Sequence, residues 1–281
     1  MTTRITLALL FIVPAAMSYP WESTYDRWVL GIAAAAVLIL FAWWRGAFLT
    51  TIVARRFGVF RRNHSRGRRS PASRSTVLLR VDPESATQQP PLDVIAGYLD
   101  RYGLRADAVR ITSRDTGAGR TTWIGLTLAA EDNLAALQAR SATIPLQETA
   151  EVAIRRLRDH LQESGVSTTV VDTDDVPPLP SGKETWRGLR TDSGYLAAYR
   201  VPVDEKLDQT WYALRTQGSN ETWTAVEMSG DPARPTLAAA CAVLTAERPG
   251  RAPAPGVTAL RGRHGLALTA LHPLSVRRLS S

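Results

Sequence analysis

The run Asp172-Thr173-Asp174-Asp175 brings carboxylates together at a spacing with recognisable chemistry. Aspartates placed one residue apart at the end of a strand could hold a magnesium-bound diphosphate, as DxD sequences do in sugar-nucleotide transferases. The competing reading is an ordinary solvated acidic turn, since the run stands where a polar loop meets Pro177 and Pro178. The other reactive side chains are scattered. His64 falls in a linker, His160 on the outer face of a helix and His264 in a turn, while His272 precedes Pro273. No Cys or second His stands at a metal-ligand spacing from any of them, which argues against zinc. Gly182-Lys183 has Pro177 where a P-loop needs its upstream glycine, and Glu184 where it needs Ser or Thr. Gly117-x-Gly119 joins two strands and opens no helix, so it is not a dinucleotide loop. Cys241 is the only cysteine, which excludes a disulfide framework. The residues therefore predict no catalytic, cofactor or metal site, with a membrane-anchored nucleotide-sugar-dependent transferase using Asp172 to Asp175 kept as the alternative.

The elements that would have to position such residues begin at a membrane. Ile5 to Tyr19 is apolar apart from Thr6 and Ser18, and Val29 to Trp44 carries no charge. A bilayer core needs about 20 helical residues, so spans are expected over 3–20 and 28–44, forming a transmembrane hairpin within residues 1–44. Arg4, the short first run and Ala16-Met17-Ser18 also imitate a secretory signal peptide. The second apolar run argues against that reading. Trp28, Trp43 and Trp44 sit where aromatic belts form at the interface. Gly31 and Ala35 make a small-xxx-small pair that would admit a neighbouring helix.

The net charge of +8 suggests an acidic partner until it is divided along the chain. Residues 1–74 hold 11 basic and 2 acidic side chains, leaving 23 basic and 24 acidic for the remainder. Nine arginines and no acid lie between Arg45 and Arg74. Residues 45–75 read as a basic stalk helix and linker, with Arg45, Arg55 and Arg56 at the membrane interface beside Phe48, Ile52 and Phe57. This collar places both the amino terminus and the carboxy-terminal domain in the cytoplasm, and it fits anionic lipid headgroups. Without an aromatic stacking platform the collar does not read as a nucleic-acid site.

Beyond the collar the hydrophobic period alternates between two and 3.6. Strands are expected at 75–81, 106–114, 120–129 and 166–172, with helices at 91–102 and 146–164. In the second helix Val152, Ala153, Leu157 and Leu161 should face inward. The order βαββαβ over 76–172 is the ferredoxin-like pattern of an α+β protein. After the Pro-rich break a second subdomain, 185–281, reads as a strand at 194–201, a helical turn at 204–208 and a hairpin of 210–216 with 221–229. A helix over 231–246 and short strands at 257–262 and 266–271 complete it. Thr122-Trp123 and Thr222-Trp223 both fall in the second hairpin arm, so the two subdomains predict a duplicated α/β unit.

Taken together, the short first span, the Trp-containing hairpin, Trp44-Arg45-Gly46, Leu49-Thr50-Thr51, Arg55-Arg56, the Arg linker and the α/β domain resemble EccE. EccE is a membrane component of the mycobacterial type VII (ESX) secretion machinery. The sequence is most similar to the form from the ESX locus tied to siderophore-mediated iron acquisition. The resemblance implies a two-span inner (plasma) membrane protein in a complex with EccB, EccC and EccD, with EccD in direct contact and the EccC ATPase as motor. It supplies no catalytic residues, no cofactor and no small-molecule substrate, and implies a structural and assembly role in protein export.

Overall fold

The computed structural model describes residues 13, 28, 43–44, 47–48, 73–85, 90–139, 144–216 and 219–279. The chain divides into two compact units, Met1–Ser65 and Arg66–Ser281. In the first, Val13 and Trp28 are helical and exposed. Strands β1 (Trp43–Trp44) and β2 (Ala47–Phe48) pair antiparallel, Trp43 opposite Phe48 and Trp44 opposite Ala47. At these four positions the backbone is extended where the sequence reading expects a helix. Trp and Phe favour extended backbone, and Gly46, between the two strands, is a poor helix former. The remaining residues of the expected spans and stalk, including Gly31, Ala35, Arg45, Arg55 and Arg56, lie outside the described residues. No helix among the described residues is long and apolar enough to cross a membrane.

The second unit is built on one large antiparallel sheet. In chain order its elements are β3 (Arg74–Val81), α1 (Leu92–Ala96), β4 (Asp100–Arg101), β5 (Leu104–Thr116) and β6 (Gly119–Ala129). Then come α2 (Leu134–Gln138), α3 (Leu146–Glu163), β7 (Thr168–Val171), β8 (Lys183–Glu184), β9 (Leu189–Thr191) and β10 (Gly194–Val201). The chain continues through α4 (Leu207–Thr216), β11 (Glu221–Asp231), β12 (Arg234–Thr245), β13 (Thr258–Ala259) and α5 (His264–Leu271). The strand order is β7-β3-β6-β5-β11-β12-β10-β9-β8, with β4 on β5 and β13 on β10.

Strand β5 pairs with β11, so the sheet runs unbroken through both expected subdomains. On either side of that seam a strand is followed by a helix and a hairpin whose second arm returns beside the first strand: β3-α1-β5-β6 and β10-α4-β11-β12.

The seam register fixes the layers. Ile111 lies opposite Val226, and Val226 opposite Ala239. The core under α1 and α3 (Leu79, Ile124, Leu126, Ile154, Leu157) and the core under α4 (Trp211, Leu214, Cys241, Val243) therefore share one face. The other face packs Leu78, Trp123, Leu196, Trp223 and Ala242 against Leu268 and Leu271 of α5. Fully burying one Leu or Ile contributes about 1.5–3 kcal/mol, so α3, with Ile154, Leu157 and Leu161 at 0% exposure, is the main clamp on β3 and β6.

Several expected elements are different. Residues 92–99 form α1 and a single 3-10 turn, not one helix to residue 102. Val152 of α3 is 46% exposed and faces outward, unlike Ala153, Leu157 and Leu161. The segment 210–216 is helical because Leu207, Trp211 and Leu214 recur at helical spacing on one face. Residues 234–245 are strand β12, and 266–271 belong to α5. Consequently Trp123 lies in a second hairpin arm but Trp223 in a first one. The two are not equivalent in sequence order; they meet across the seam as stacked rings with centroids 6.0 Å apart.

Candidate functional site

The residues singled out for chemistry are held apart. Strand β7 ends at Val171, and Asp172 precedes a 3-10 turn over Thr173–Asp175, the Asp175 N–H donating to the Asp172 carbonyl at 3.2 Å. All four residues of the run are exposed, and among the described residues no three His, Cys, Asp or Glu are grouped to hold a metal ion. Gly182 serves backbone packing, because a Cβ there would fall 2.1 Å from the Arg190 carbonyl oxygen.

His264 is fully buried on α5, where its Nδ1 accepts the Ala198 N–H at 3.1 Å. Burial lowers its pKa to about 4 despite nearby Glu184. Glu184 in turn accepts the Gly265 N–H at 3.2 Å. His272, also lowered by burial, accepts the Leu274 N–H. The Cys241 thiol is pushed up to about 12 by burial. His264, Glu184 and Cys241 are closed to solvent, and His272 is half-buried. His64 lies outside the described residues.

Two constellations absent from the expectations are assembled instead. The first is a buried charged hub on the α5 face of the seam. Arg110 of β5 stands opposite Glu227 of β11. Its Nη2 donates to Glu227 Oε2 at 2.5 Å and its Nε to the same oxygen at 3.1 Å. The guanidinium also donates to the carbonyls of Ala270 at 2.8 Å, Ser275 at 3.1 Å and Arg277 at 2.5 Å. Glu227 accepts the Leu279 N–H, and Arg278 bridges Asp107 at 2.8 Å and Glu227 at 3.6 Å. Both hub side chains are nearly inaccessible, at 5% and 2%. A buried ion pair is tolerated when its remaining donors are satisfied, and here the C-terminal carbonyls satisfy them. Beside the hub, Glu221 accepts from Arg114 Nε at 2.7 Å and from Trp223 Nε1 at 2.6 Å. The sequence signal for the hub is a charge inside each of two apolar strand patterns, Arg110 in ADAVRITSR and Glu227 in TAVEMS.

The second constellation is a half-open pit of 290 Å³ between α3 and the start of β5. Leu104, Leu126, Leu128 and Ala153 line it with apolar atoms, and Val152 and Pro145 border it. Its polar side is formed by Tyr98, Arg101, Tyr102 and Arg156, with Glu148 the one acidic lining residue. Strands β4 and β5 are joined through Tyr102-Gly103, both with positive φ, 56° and 70°. That is the backbone of a tight two-residue hairpin, where Asn or Gly is the usual first residue. A tyrosine at such a position costs roughly 1–2 kcal/mol, and its ring is half exposed at the pit. The Arg101 guanidinium lies 5.3 Å from the ring centroids of both Tyr98 and Tyr102, and that of Arg156 lies 4.6 Å from Tyr102. The Tyr98 hydroxyl meets His160 Nδ1 at 2.6 Å, and burial, then Tyr102, pushes its pKa up to about 12. The outer-face histidine of the sequence reading is thus half-buried and bonded.

Comparison with known proteins adds identity to this geometry. A family model described as "Putative type VII ESX secretion system translocon, EccE" matches residues 116–201, from the β5–β6 turn to the end of β10. The chain is 53% identical over 281 residues to "ESX-3 secretion system protein EccE3" of Mycolicibacterium smegmatis, covering 99% of this chain and 90% of that protein. It is 52% identical over 285 residues to the protein of the same name from Mycobacterium tuberculosis strain CDC 1551 / Oshkosh, covering 98% and 86%. The corresponding protein of strain H37Rv is 51% identical over the same length.

Proposed function

The chain belongs to the EccE family, and from that premise we propose that it is a non-catalytic structural and assembly subunit of a type VII (ESX) secretion complex in the inner membrane. The observation that carries this reading is similarity at about half identity to ESX-3 secretion proteins along almost the entire chain. The internal chemistry agrees with it: the strongest buried polar groups, Arg110 and Glu227, are occupied in fastening the C-terminal segment to the sheet.

In this reading the subunit works beside other ESX subunits, with EccD in direct contact, EccB and EccC in the same assembly, and EccC supplying the energy. Residues 1–44 form the membrane hairpin, in which Gly31 and Ala35 pack on a neighbouring helix. Trp28, Trp43, Trp44, Arg45, Arg55 and Arg56 hold the stalk at anionic headgroups, and the domain is cytoplasmic. Likeness to the ESX-3 forms supports a place in export linked to siderophore-mediated iron acquisition. Residues 76–172 are a ferredoxin-like module, a reading supported by strand order β7-β3-β6-β5, and 185–281 are its diverged counterpart.

The test is purification of the tagged full chain in detergent from its native host, with identification of every co-purifying protein. EccB, EccC and EccD should be retained, and a version lacking residues 1–44 should lose them and fail to restore secretion to a deletion strain. Secretion at the parental level without residues 1–44 would refute the anchored-scaffold role.

A further inference from the structure

We propose that the pit between α3 and the β4–β5 hairpin is a docking site for a partner protein's extended segment, which inserts an apolar side chain flanked by carboxylates. The proposal rests on the assembly reading only for the expectation that such a partner is present.

Three features define the ligand. The floor is apolar, and at about 290 Å³ the space is at the small end of binding sites, with room for one or two side chains. The rim is cationic. Neither Arg101 nor Arg156 makes an ion pair with a described carboxylate; both rest on tyrosine rings, which hold the guanidiniums in place while leaving their N–H groups for an acceptor. Glu148 offsets one of the two charges, leaving the rim net positive. Finally, Tyr102 keeps a left-handed backbone that Asn or Gly would adopt without strain. A residue held in such a conformation with its ring exposed points to a role for the ring itself. Tyr102 is placed to flank the inserted side chain and, through the two arginines stacked on it, to set the spacing of the carboxylates.

The exposed Val152 extends the same apolar surface outward along α3. It departs from the inward apolar stripe of that helix, so it adds contact area for a partner where the helix needs none for its own core.

The test uses the full chain in detergent and a fluorescein-labelled peptide, Glu-Asp-Leu-Leu-Asp-Glu, followed by anisotropy. Control peptides replace the leucines by serine or the acids by lysine. The acidic apolar peptide should bind saturably, and both controls should fail. Arg156→Gln should weaken binding by about fivefold, the range set by loss of one partly exposed ionic contact. Val152→Asp should weaken it by about tenfold or more, because it sets a carboxylate at the mouth. Tyr102→Asn should weaken binding while the melting temperature stays level or rises, which separates loss of the ring from loss of the fold. Absence of binding, equal binding by the lysine peptide, or unchanged affinity in Arg156→Gln and Val152→Asp would overturn the proposal. Micelle partitioning is common to all variants and cannot mimic the difference between them. If the peptide pattern holds but no secretion subunit co-purifies with the chain, the assembly reading fails and the site stands; the reverse result removes the site alone.

Discussion

Replacing Arg110 by Met should detach the C-terminal segment from the sheet. The substitution keeps most of the aliphatic volume and removes the guanidinium that holds Glu227 and the carbonyls of Ala270, Ser275 and Arg277. Removing one partner of a buried ion pair costs about 3–5 kcal/mol, because the other charge stays buried. While the segment is closed, Glu227 still accepts the Leu279 N–H and lies 3.6 Å from Arg278, which puts the charge part of the closed-state cost at the low end, about 3 kcal/mol. Each lost bond to a carbonyl would add roughly 1 kcal/mol or more, but the segment can peel into water, so the total levels off at about 4 kcal/mol, the scale of local opening.

Hydrogen exchange on the full chain in detergent reads this directly. At 1.36 kcal/mol per decade, about 4 kcal/mol is roughly a thousandfold faster exchange, expected over residues 272–279 and at trypsin-sensitive Arg277 and Arg278. Pairing the change with Glu227→Leu removes the buried charge while leaving the carbonyls without their donor. The double variant should therefore recover part of the loss, to about 2 kcal/mol of destabilisation. Protection in Arg110→Met equal to the parent, or a double variant worse than the single, would refute the reasoning.

Two further outcomes concern buried titratable groups. The folded pKa of His264, about 4 against 6.5 when unfolded, means that the unfolded state binds more protons between those values. Stability should be full above pH 6.5 and fall as pH drops toward 4, by at most about 3 kcal/mol; melts of His264→Gln should lose most of this slope, and an unchanged slope would exclude His264 as its source. Cys241, fully buried with its thiol raised to about 12, should resist thiol reagents at neutral pH and react at once in guanidinium; rapid labelling of the native chain would show that the core under α4 opens.

Where a strand is buried on both faces, its legibility rests on composition. Strands β3, β5 and β6 can be read because β-branched and aromatic residues fill them, Val77 and Val81 in β3, Val109, Ile111 and Thr112 in β5, and Thr122, Trp123 and Ile124 in β6. Strand β12 cannot. Its alanines are buried on both faces, Ala240 and Ala242 toward α5 and Ala239 and Cys241 toward α4, so the run TLAAACAVL has no visible alternation and has the composition of a helix. The reverse holds at 210–216, where Thr, Trp and Tyr suggest a strand although Leu207, Trp211 and Leu214 carry the helical period once the window reaches back to 207. The pit is unreadable for a different reason. Tyr98, Tyr102 and Arg156 come together only because the β4–β5 hairpin folds back beneath α3, a contact 54 residues apart for Tyr102 and Arg156. The Trp pair is conspicuous in the sequence, but as a mark of duplication; in the fold Trp123 and Trp223 stack across the seam.

The two halves of the sheet share strand, helix and hairpin, and the segment after each hairpin separates their tasks. After β6 the chain makes α3, 18 residues long, and stays on the face of α1, where it closes the pit with Tyr98 and Tyr102. After β12 the chain crosses instead to the opposite face, where α5 and the segment behind it supply the carbonyls that Arg110 requires. Among the described residues the second half therefore has no counterpart of α3 over its own hairpin, and Arg110 of the first half pairs with Glu227 of the second. The pit is thus confined to one half of the sheet, whereas the Arg110–Glu227 hub joins both halves. The family-model match from residue 116 to 201 spans α3, β7 and β10, the stretch that leads the chain from the pit side of the sheet into the half that locks it.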